Sequence, residues 1–153
     1  MHDGMANNKS SSNLLSDQSQ FSAKVSSVLN KNVKEFGKKF LFDNHEDTCW
    51  NSDQGTPQFI SLTFDSDVKT ISELQIQFQG GFVGKSCQLI VNNDQTSPVS
   101  FYPEDSNKLQ TFHVDFQNVQ TLKIVFNDST DFFGRITIYQ LKLFPWILDF
   151  QTF

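Results

Sequence analysis

The chain has 153 residues and carries 17 acidic against 12 basic side chains, which gives a formal net charge of −5. This length predicts one domain that buries about two-thirds of the surface of its unfolded chain. The basic residues are dispersed along the sequence, so the composition argues against non-specific nucleic-acid binding and against an anionic membrane surface as a partner.

The N-terminal residues 1–20 are rich in Ser, Asn and Asp, and Leu14 and Leu15 form their one apolar pair. Such a segment buries too little surface to offset the entropy that ordering costs. We therefore predict a disordered or extended arm over residues 1–20, followed by a folded domain over 21–144.

A polar loop between two apolar stretches is the most informative part of the chain. The apolar residues 40–42 precede the polar run Asp43–Thr48, and Trp50 lies between this run and a second turn, 51–55. Asn, Asp, Ser and Gly favour turns because their side chains bond the local backbone or tolerate left-handed dihedrals. A large aromatic side chain between two turns is predicted to plug the rim of a core.

From Pro57 onward, apolar and polar residues alternate with the period of half-buried strands. The alternation is clear in 57–64, 72–79, 110–116 and 122–126, and shorter candidates are 89–91 and 99–102. In 135–144 the apolar parity changes, which predicts a β-bulge near Tyr139 and Gln140. About seven or eight strands separated by turns predict an all-β fold, an antiparallel β-sandwich or jelly roll.

The loop and the following strand resemble the start of a discoidin-like domain, also called the coagulation-factor 5/8 C-type or galactose-binding-like fold. In that family, Asp-x-x-x-x-Thr-x-Trp precedes a strand that begins Pro-Gln-aromatic; the matching residues here are Asp43, Thr48, Trp50, Pro57, Gln58 and Phe59. The resemblance implies a sandwich of about eight strands and a binding role. It also implies an extended segment and a turn at Lys34–Lys39, whereas the apolar spacing in 25–36 is near helical.

Several segments resemble a narrower family of small intracellular nuclear receptor-associated proteins. They fall between Val25 and Phe144 in the order FGKKFLFD, TCWNSDQG, LQIQFQGGF, FYPED, LQTF and TDFFGRITIY. This resemblance implies a nuclear receptor as the protein partner and repression of its transcriptional activity. In an organism without such receptors, the alternative is a small jelly-roll subunit of a larger assembly, of ciliary or ubiquitin-ligase type.

Cys49 and Cys87 are both internal, whereas extracellular discoidin-like domains commonly join their two ends by a disulfide. The sequence shows neither a signal peptide nor an apolar run of membrane-spanning length. We therefore expect a reduced, intracellular protein in the nucleus or cytoplasm, or at a cilium.

The histidines do not predict a catalytic site. His2 falls in the predicted arm and His113 on the polar parity of a strand, so only His45 lies in a loop with acidic neighbours. A nucleophile requires a positioned base and an oxyanion donor, and the sequence contains no motif that supplies them. We expect no enzymatic activity.

The run Asp43–Thr48 is a candidate Ca²⁺ site, because it brings together the oxygen ligands that this ion prefers. The discoidin-like resemblance implies Asp43, the carbonyl of His45 and Thr48 as ligands. A Glu on the last strand completes the family's site, and this position falls near the uncharged Gln140. Because ligand charge sets Ca²⁺ affinity, we favour the alternative of a loop tied together by its Asp and Thr side chains.

Two apolar features are candidates for binding a partner. Gly80, Gly81 and Gly84 leave Phe82 on a loop tip, unless its side chain folds over the end of the sandwich. The C-terminal tail, 145–153, either folds back on its own domain or docks on another protein, because so apolar a tail is an aggregation liability in water. Its apolar residues are Trp146, Ile147, Leu148, Phe150 and Phe153.

The segment Thr130–Arg135 is predicted to be structural, as is Trp50. Gly134 permits a turn into the last strand, and Asp131 and Arg135 are placed to pair across it. Phe132 and Phe133 cannot both face inward from an extended backbone, so we expect one of them to cap the loop end of the sandwich.

The sequence as a whole predicts a non-catalytic intracellular module for protein–protein interaction. The second alternative is a module that binds glycans or lipids with the support of Ca²⁺. Lipid binding requires a loop that pairs a basic cluster with an apolar tip, and none of the predicted loops does so.

Overall fold

The computed structural model describes residues 12–147, and two antiparallel sheets dominate them. The nine strands in this part of the chain are β1 (Phe21–Val25), β2 (Trp50–Asn51), β3 (Gln58–Phe64), β4 (Lys69–Phe78), β5 (Cys87–Val91), β6 (Val99–Phe101), β7 (Leu109–Val119), β8 (Thr121–Phe126) and β9 (Thr137–Phe144). One sheet has the order β1-β3-β8-β5-β6 and the other β2-β9-β4-β7. This confirms the predicted all-β fold, an antiparallel β-sandwich.

The helical structure is confined to short segments around β1 and β2. Helix α1 spans Val33–Phe36, and 3₁₀ turns span Gln18–Gln20, Leu29–Lys31 and Lys38–Leu41. The carboxamide oxygen of Asn32 accepts a hydrogen bond from the N–H of Glu35 at 3.3 Å and caps α1. The expected extended segment is therefore present only as far as β1, and short helical turns begin at Leu29, before the turn expected at Lys34–Lys39.

The alternation predicted for the strands places their apolar residues in the interior. In β3, Ile60, Leu62 and Phe64 are buried, while the residues between them are partly exposed. The rings of Phe78 and Phe126 meet edge to face across the two sheets at 5.9 Å between centroids. Because both sheets direct these side chains inward, one apolar core lies between them.

The predicted bulge in the last strand is confirmed. Gln77 of β4 pairs with Gln140, whereas the next residue, Phe78, pairs with Ile138. Tyr139 is therefore the extra residue on β9. The bulge lets Ile138 and Leu141 both face the core although they differ in parity.

The connections lie at two opposite ends of the sandwich. We call residues 52–57, 79–86, 102–108 and 127–136 the loop end, and residues 65–68, 92–98, Gln120 and 145–147 the tail end. Strand β9 runs from the loop end to the tail end. Its 8 residues separate the two ends by roughly 25 Å.

The described part of the N-terminal segment packs on the domain, so the folded chain begins before the predicted boundary at Phe21. Leu15 is buried, and the N–H of Leu14 donates to the carbonyl of Leu143 at 2.8 Å. The side chain of Asn13 accepts from the N–H of Leu143 at 3.0 Å. β2 pairs only with Thr137 and Ile138, at the start of β9. The bonds from Asn13 and Leu14 satisfy the backbone groups of Leu143, near the end of the same edge of β9.

Candidate functional site

Asp43 ties the loop that precedes Trp50. One carboxylate oxygen accepts from the N–H of His45 at 3.1 Å, and the other accepts from the hydroxyl of Thr48 at 2.7 Å. Asn44 between them has φ of +57°, a conformation that Asn tolerates better than most residues. The three residues of the candidate Ca²⁺ site thus form a hydrogen-bonded loop of their own.

A cavity of about 290 Å³ lies beside this loop. It separates the Asp43 loop from the outer edge of β9, and the packed N-terminal segment closes one side. The lining residues are Asn13, Ser16, Leu41, Phe42, Asp43, Asn44, Gln140, Leu141 and Lys142. The fold therefore brings Asp43 and Gln140 to one cavity. The discoidin-like resemblance implied this proximity, because the family's Glu ligand on the last strand falls near Gln140.

The donor set of this cavity fits Ca²⁺ poorly. Asp43 is its one carboxylate, both oxygens of that carboxylate already accept hydrogen bonds, and β9 contributes an amide at Gln140 and an ammonium group at Lys142. No cluster of three or more His, Cys, Asp or Glu side chains occurs within residues 12–147. Because Ca²⁺ affinity rises with the number of charged oxygens, we assign no chemical step to a metal here.

The buried side chains of Trp50 and Gln58 donate hydrogen bonds to backbone carbonyls of neighbouring loops. The buried indole of Trp50 donates to the carbonyl of Ser27 at 2.9 Å. The buried amide of Gln58 donates to the carbonyls of Asp53 at 3.1 Å and Gly55 at 2.7 Å. The Gln58 bonds satisfy two carbonyls of the 52–57 turn, and the Trp50 bond satisfies its own buried N–H and the carbonyl of Ser27.

The turn that leads into β9 is held at both sides. A carboxylate oxygen of Asp131 accepts from Nε of Arg135 at 3.2 Å and from the N–H of the same residue at 3.0 Å. Gly134 has φ of +83° and packs against the backbone of Gly55. The geometric expectations for Asp131, Gly134 and Arg135 are therefore met.

The expectation for the two phenylalanines of this turn is wrong. Phe132 is 93% exposed and Phe133 is 54% exposed, so neither ring caps the loop end. The tight turn at Gly134 takes the backbone outward, and the N–H of Gly55 donates to the carbonyl of Phe133 at 2.7 Å. Both rings therefore project from the end of the sandwich, where they pack edge to face at 5.2 Å.

Phe82 is half-buried and lies beside this turn. The guanidinium carbon of Arg135 lies 5.0 Å from the centroid of its ring, in cation–π contact. Phe82 is thus partly covered by its own domain. The loop end exposes the ring of Tyr102 as well as the adjacent rings of Phe132 and Phe133. The sequence signal for Phe132 and Phe133 was a pair of consecutive aromatics next to a turn glycine.

The first residues of the tail continue along β4 at the tail end. The hydroxyl of Ser72 donates to the carbonyl of Pro145 at 3.0 Å, and the N–H of Trp146 donates to the hydroxyl of Thr70 at 3.0 Å. Trp146 is half-buried, whereas Ile147 is 92% exposed. Leu148, Phe150 and Phe153 lie outside the described residues.

The environments of the two cysteines disfavour reactive thiolates. Burial, together with the negative charge of Asp128, raises the pKa of the Cys87 thiol to about 12. Burial also raises the pKa of the half-buried Cys49. His45 and His113 are exposed at the surface, whereas Cys87 lies in the core.

The fold has clear relatives among solved structures. An F5/8 type C domain from Bacteroides fragilis superposes with a TM-score of 0.72 at 16% identity, over 90% of this chain and 97% of that one. A family 32 carbohydrate-binding module from C. perfringens, solved in complex with galactose, gives a TM-score of 0.65 at 17% identity over 82% and 94%. The chain therefore has the fold of a discoidin-like, F5/8 type C domain.

Sequence comparison narrows this class. The nuclear receptor 2C2-associated protein of Danio rerio is 55% identical over 125 residues, which cover 79% of this chain and 88% of the relative. The human protein of the same name is 51% identical over 124 residues with the same coverage. No protein-family model matches the chain. The chain belongs to the family of nuclear receptor 2C2-associated proteins.

Proposed function

We propose that the chain is a non-catalytic module that binds another protein in the nucleus or cytoplasm. The observation that carries this proposal is the exposure of apolar side chains at the two ends of a well-packed sandwich, with Ile147 at one end and Phe132 at the other. Large exposed apolar groups on a stable domain mark interaction sites. The name shared by the relatives supports a nuclear receptor as the partner.

The tail is the first contact surface of this proposal. Its apolar residues are Trp146, Ile147, Leu148, Phe150 and Phe153. The bonds from Ser72 to Pro145 and from Trp146 to Thr70 hold the first two tail residues against β4, and Ile147 after them is exposed. A partner that accepts these side chains gains the free energy of burying them, which is the main driving force in most protein association.

Phe82 is the second proposed contact. Its ring is held by Arg135 and half-buried, so a partner that covers it meets a fixed surface. The net charge of −5 supports a protein partner over nucleic acid or an anionic membrane. No helix within the described residues is long and apolar enough to span a bilayer.

A direct binding measurement with purified nuclear receptor 2C2 tests this function. We expect saturable binding to the full chain and a loss of at least about tenfold when residues 148–153 are deleted and Ile147 is replaced by Ser. The matched control is Val68→Ser, which removes an apolar side chain that is 52% exposed at the same end of the sandwich. Unchanged affinity on tail deletion would remove the tail from the proposal.

The alternative partner is a larger assembly in which the chain is a small jelly-roll subunit. Cross-linking in cells followed by size fractionation distinguishes the two. A receptor partner predicts one cross-linked species whose mass fits a receptor complex, whereas an assembly predicts several subunits that co-fractionate. Absence of both, with a monomer under all conditions, would contradict an interaction role.

A further inference from the structure

We propose that the loop end binds a protein segment in which a large apolar side chain is flanked by Lys or Arg. This inference deepens the proposed function, on which it rests, by extending the loop-end contact beyond Phe82 and by assigning the chemistry of its ligand. The apolar side chain would pack on the rings of Phe132 and Phe133, and the cations would face Asp105 and Asp128. The sequence alone does not indicate a partner-binding role for the two phenylalanines or for the two aspartates.

The two exposed rings form a platform with a fixed backbone. Four hydrogen bonds hold the turn beneath them: the carbonyl of Phe133 accepts from Gly55, Gly134 donates to the carbonyl of Asp131, and Asp131 bonds both Ser129 and Arg135. The rings meet edge to face with an interplanar angle of 88°. A fixed backbone lowers the conformational entropy lost on binding, and aromatic residues dominate interface hot spots.

The loops that surround this platform are acidic. The loop end carries five acidic side chains (Asp53, Glu104, Asp105, Asp128 and Asp131) and three basic ones (Lys85, Lys108 and Arg135). Asp131 and Arg135 neutralise each other through their ion pair. The remaining charges favour a cationic ligand, and they disfavour nucleic acid or an anionic membrane at this end.

Two of these carboxylates are bonded to the backbone of the 79–86 loop, at residues that precede and follow Phe82 in the sequence. One oxygen of Asp105 accepts from the N–H of Gly81 at 2.7 Å, and one oxygen of Asp128 accepts from the N–H of Ser86 at 2.7 Å. Each carboxylate thus keeps a second oxygen to accept a hydrogen bond from a partner. Because charge-assisted hydrogen bonds are stronger than neutral ones, these oxygens favour a Lys or Arg side chain as the donor.

The platform is separate from the tail. The tail leaves β9 at the opposite end of the sandwich, roughly 25 Å away. Residues 145–147 do not overlap with the platform, so substitutions in the platform leave this described start of the tail intact. Loss of binding at the loop end is therefore measured independently of the tail.

The first experiment is selection from a phage-displayed random peptide library on the full chain. The double variant Phe132→Ser, Phe133→Ser serves for counter-selection, because both rings are exposed and their loss leaves the core unchanged. We expect an enriched consensus in which a large apolar residue lies next to Lys or Arg. No enrichment over the double variant, or an acidic consensus, would overturn the inference.

The second experiment measures the affinity of the best synthetic peptide for matched variants. Asp105→Asn and Asp128→Asn remove the charges but keep oxygen acceptors for Gly81 and Ser86, so the loops retain their bonds. We expect each to weaken binding by about threefold to tenfold and to reduce its salt dependence. Val68→Ser, at the tail end, is expected to have no effect. Equal affinity for all variants would place the peptide elsewhere.

Two outcomes separate this inference from the proposed function. Binding of nuclear receptor 2C2 that is insensitive to the loop-end variants, combined with a failed peptide selection, overturns the inference and leaves the function standing. Stronger binding to vesicles of anionic phospholipid than to any peptide assigns the platform to a membrane and contradicts the ligand proposed here.

Discussion

Gly134 and Gly55 pack backbone against backbone at the loop end. A Cβ atom on Gly134 would lie 2.9 Å from the carbonyl carbon of Gly55 and 3.0 Å from its Cα. The N–H of Gly55 meanwhile donates to the carbonyl of Phe133. This contact joins the turn before β3 to the turn before β9, and it sets the direction in which Phe132 and Phe133 project.

Gly134→Ala is expected to destabilise the protein by more than about 2 kcal/mol, because it combines a positive φ with a backbone clash. Gly81→Ala is the matched control: its φ is +90°, but nothing lies within 4 Å of the added methyl group. We expect that control to cost about 1 kcal/mol. Urea unfolding measures both, and equal losses would show that the contact with Gly55 contributes nothing.

Trp50→Phe is expected to lower the free energy of unfolding by about 2 kcal/mol or more, through a partly empty core and loss of the donor to Ser27. Trp146→Phe provides the comparison, because Trp146 is half-buried at the tail end and bonds Thr70 through its backbone N–H. We expect this second change to cost less than about 1 kcal/mol. Far-UV circular dichroism during urea unfolding decides; similar losses would contradict the role of Trp50.

The pairing of Asp131 with Arg135 predicts a dependence of stability on pH. Burial disfavours the charged carboxylate, but hydrogen bonds from Arg135 and its charge outweigh this effect and lower the pKa of Asp131 below its ordinary value of 3.8. A lowered pKa in the folded state stabilises the protein above the pKa of the unfolded state, about 3.9, and this contribution is lost as the pH falls through the folded-state pKa.

Asp131→Asn removes the charge of this pair and keeps an oxygen acceptor. We expect a deficit in unfolding free energy below about 1 kcal/mol at pH 7, since the pair is partly solvated, and a smaller deficit under strongly acidic conditions. Paired urea titrations of wild type and variant at the two pH values test this. A deficit that is the same at both would rule out an electrostatic origin.

The two thiols are expected to react at different rates in the folded protein. The pKa of Cys87 is raised to about 12, so its thiolate is scarce at pH 8, and its side chain is buried. In Cys49→Ser, Cys87 is the one remaining thiol, and we expect Ellman's reagent to modify it only on unfolding. In Cys87→Ala the half-buried Cys49 is the remaining thiol, and we expect it to react faster than Cys87 does in Cys49→Ser. Rapid modification of native Cys49→Ser would contradict the burial of Cys87.

Calcium is expected to leave the thermal midpoint of the wild-type protein unchanged, because both oxygens of Asp43 accept hydrogen bonds within their loop and Gln140 brings no charge. Gln140→Glu adds a carboxylate to the same cavity, and we expect this variant to bind Ca²⁺ more tightly than the wild type. Calorimetric titration of chelator-treated protein checks both. Saturable heat with the wild type, abolished by Asp43→Asn, would establish a metal site.

Local pattern was sufficient for much of the fold. The alternation in Gln58–Phe64 identified β3 and its buried face, because side chains on a strand change face at every residue. The change of parity near Tyr139 identified the bulge for the same reason. The N-terminal boundary was misplaced, since Leu15 belongs to the core and Leu14 bonds Leu143 of β9, which is distant in sequence.

The candidate site was predicted only in part. Asp131 and Arg135 are close in sequence, so their pairing was visible as a local turn. The exposure of Phe132 and Phe133 could not be predicted from the sequence, because aromatic pairs usually belong to a core. Their direction depends on Gly55, which belongs to another loop. The fixed carboxylates of Asp105 and Asp128 likewise depend on loops that meet only in the folded chain.

The sequence by itself determined that this protein is a β-sandwich with Trp50 in its interior and a discoidin-like loop in front of it, because side-chain period and turn chemistry act between near neighbours. Only the tertiary structure decided that Phe132 and Phe133 stand outside the core, that Arg135 packs on Phe82, and that the tail begins at the opposite end. These positions depend on contacts between loops that are distant in sequence. The order of the strands brings those loops together, and the packing of the whole core sets that order.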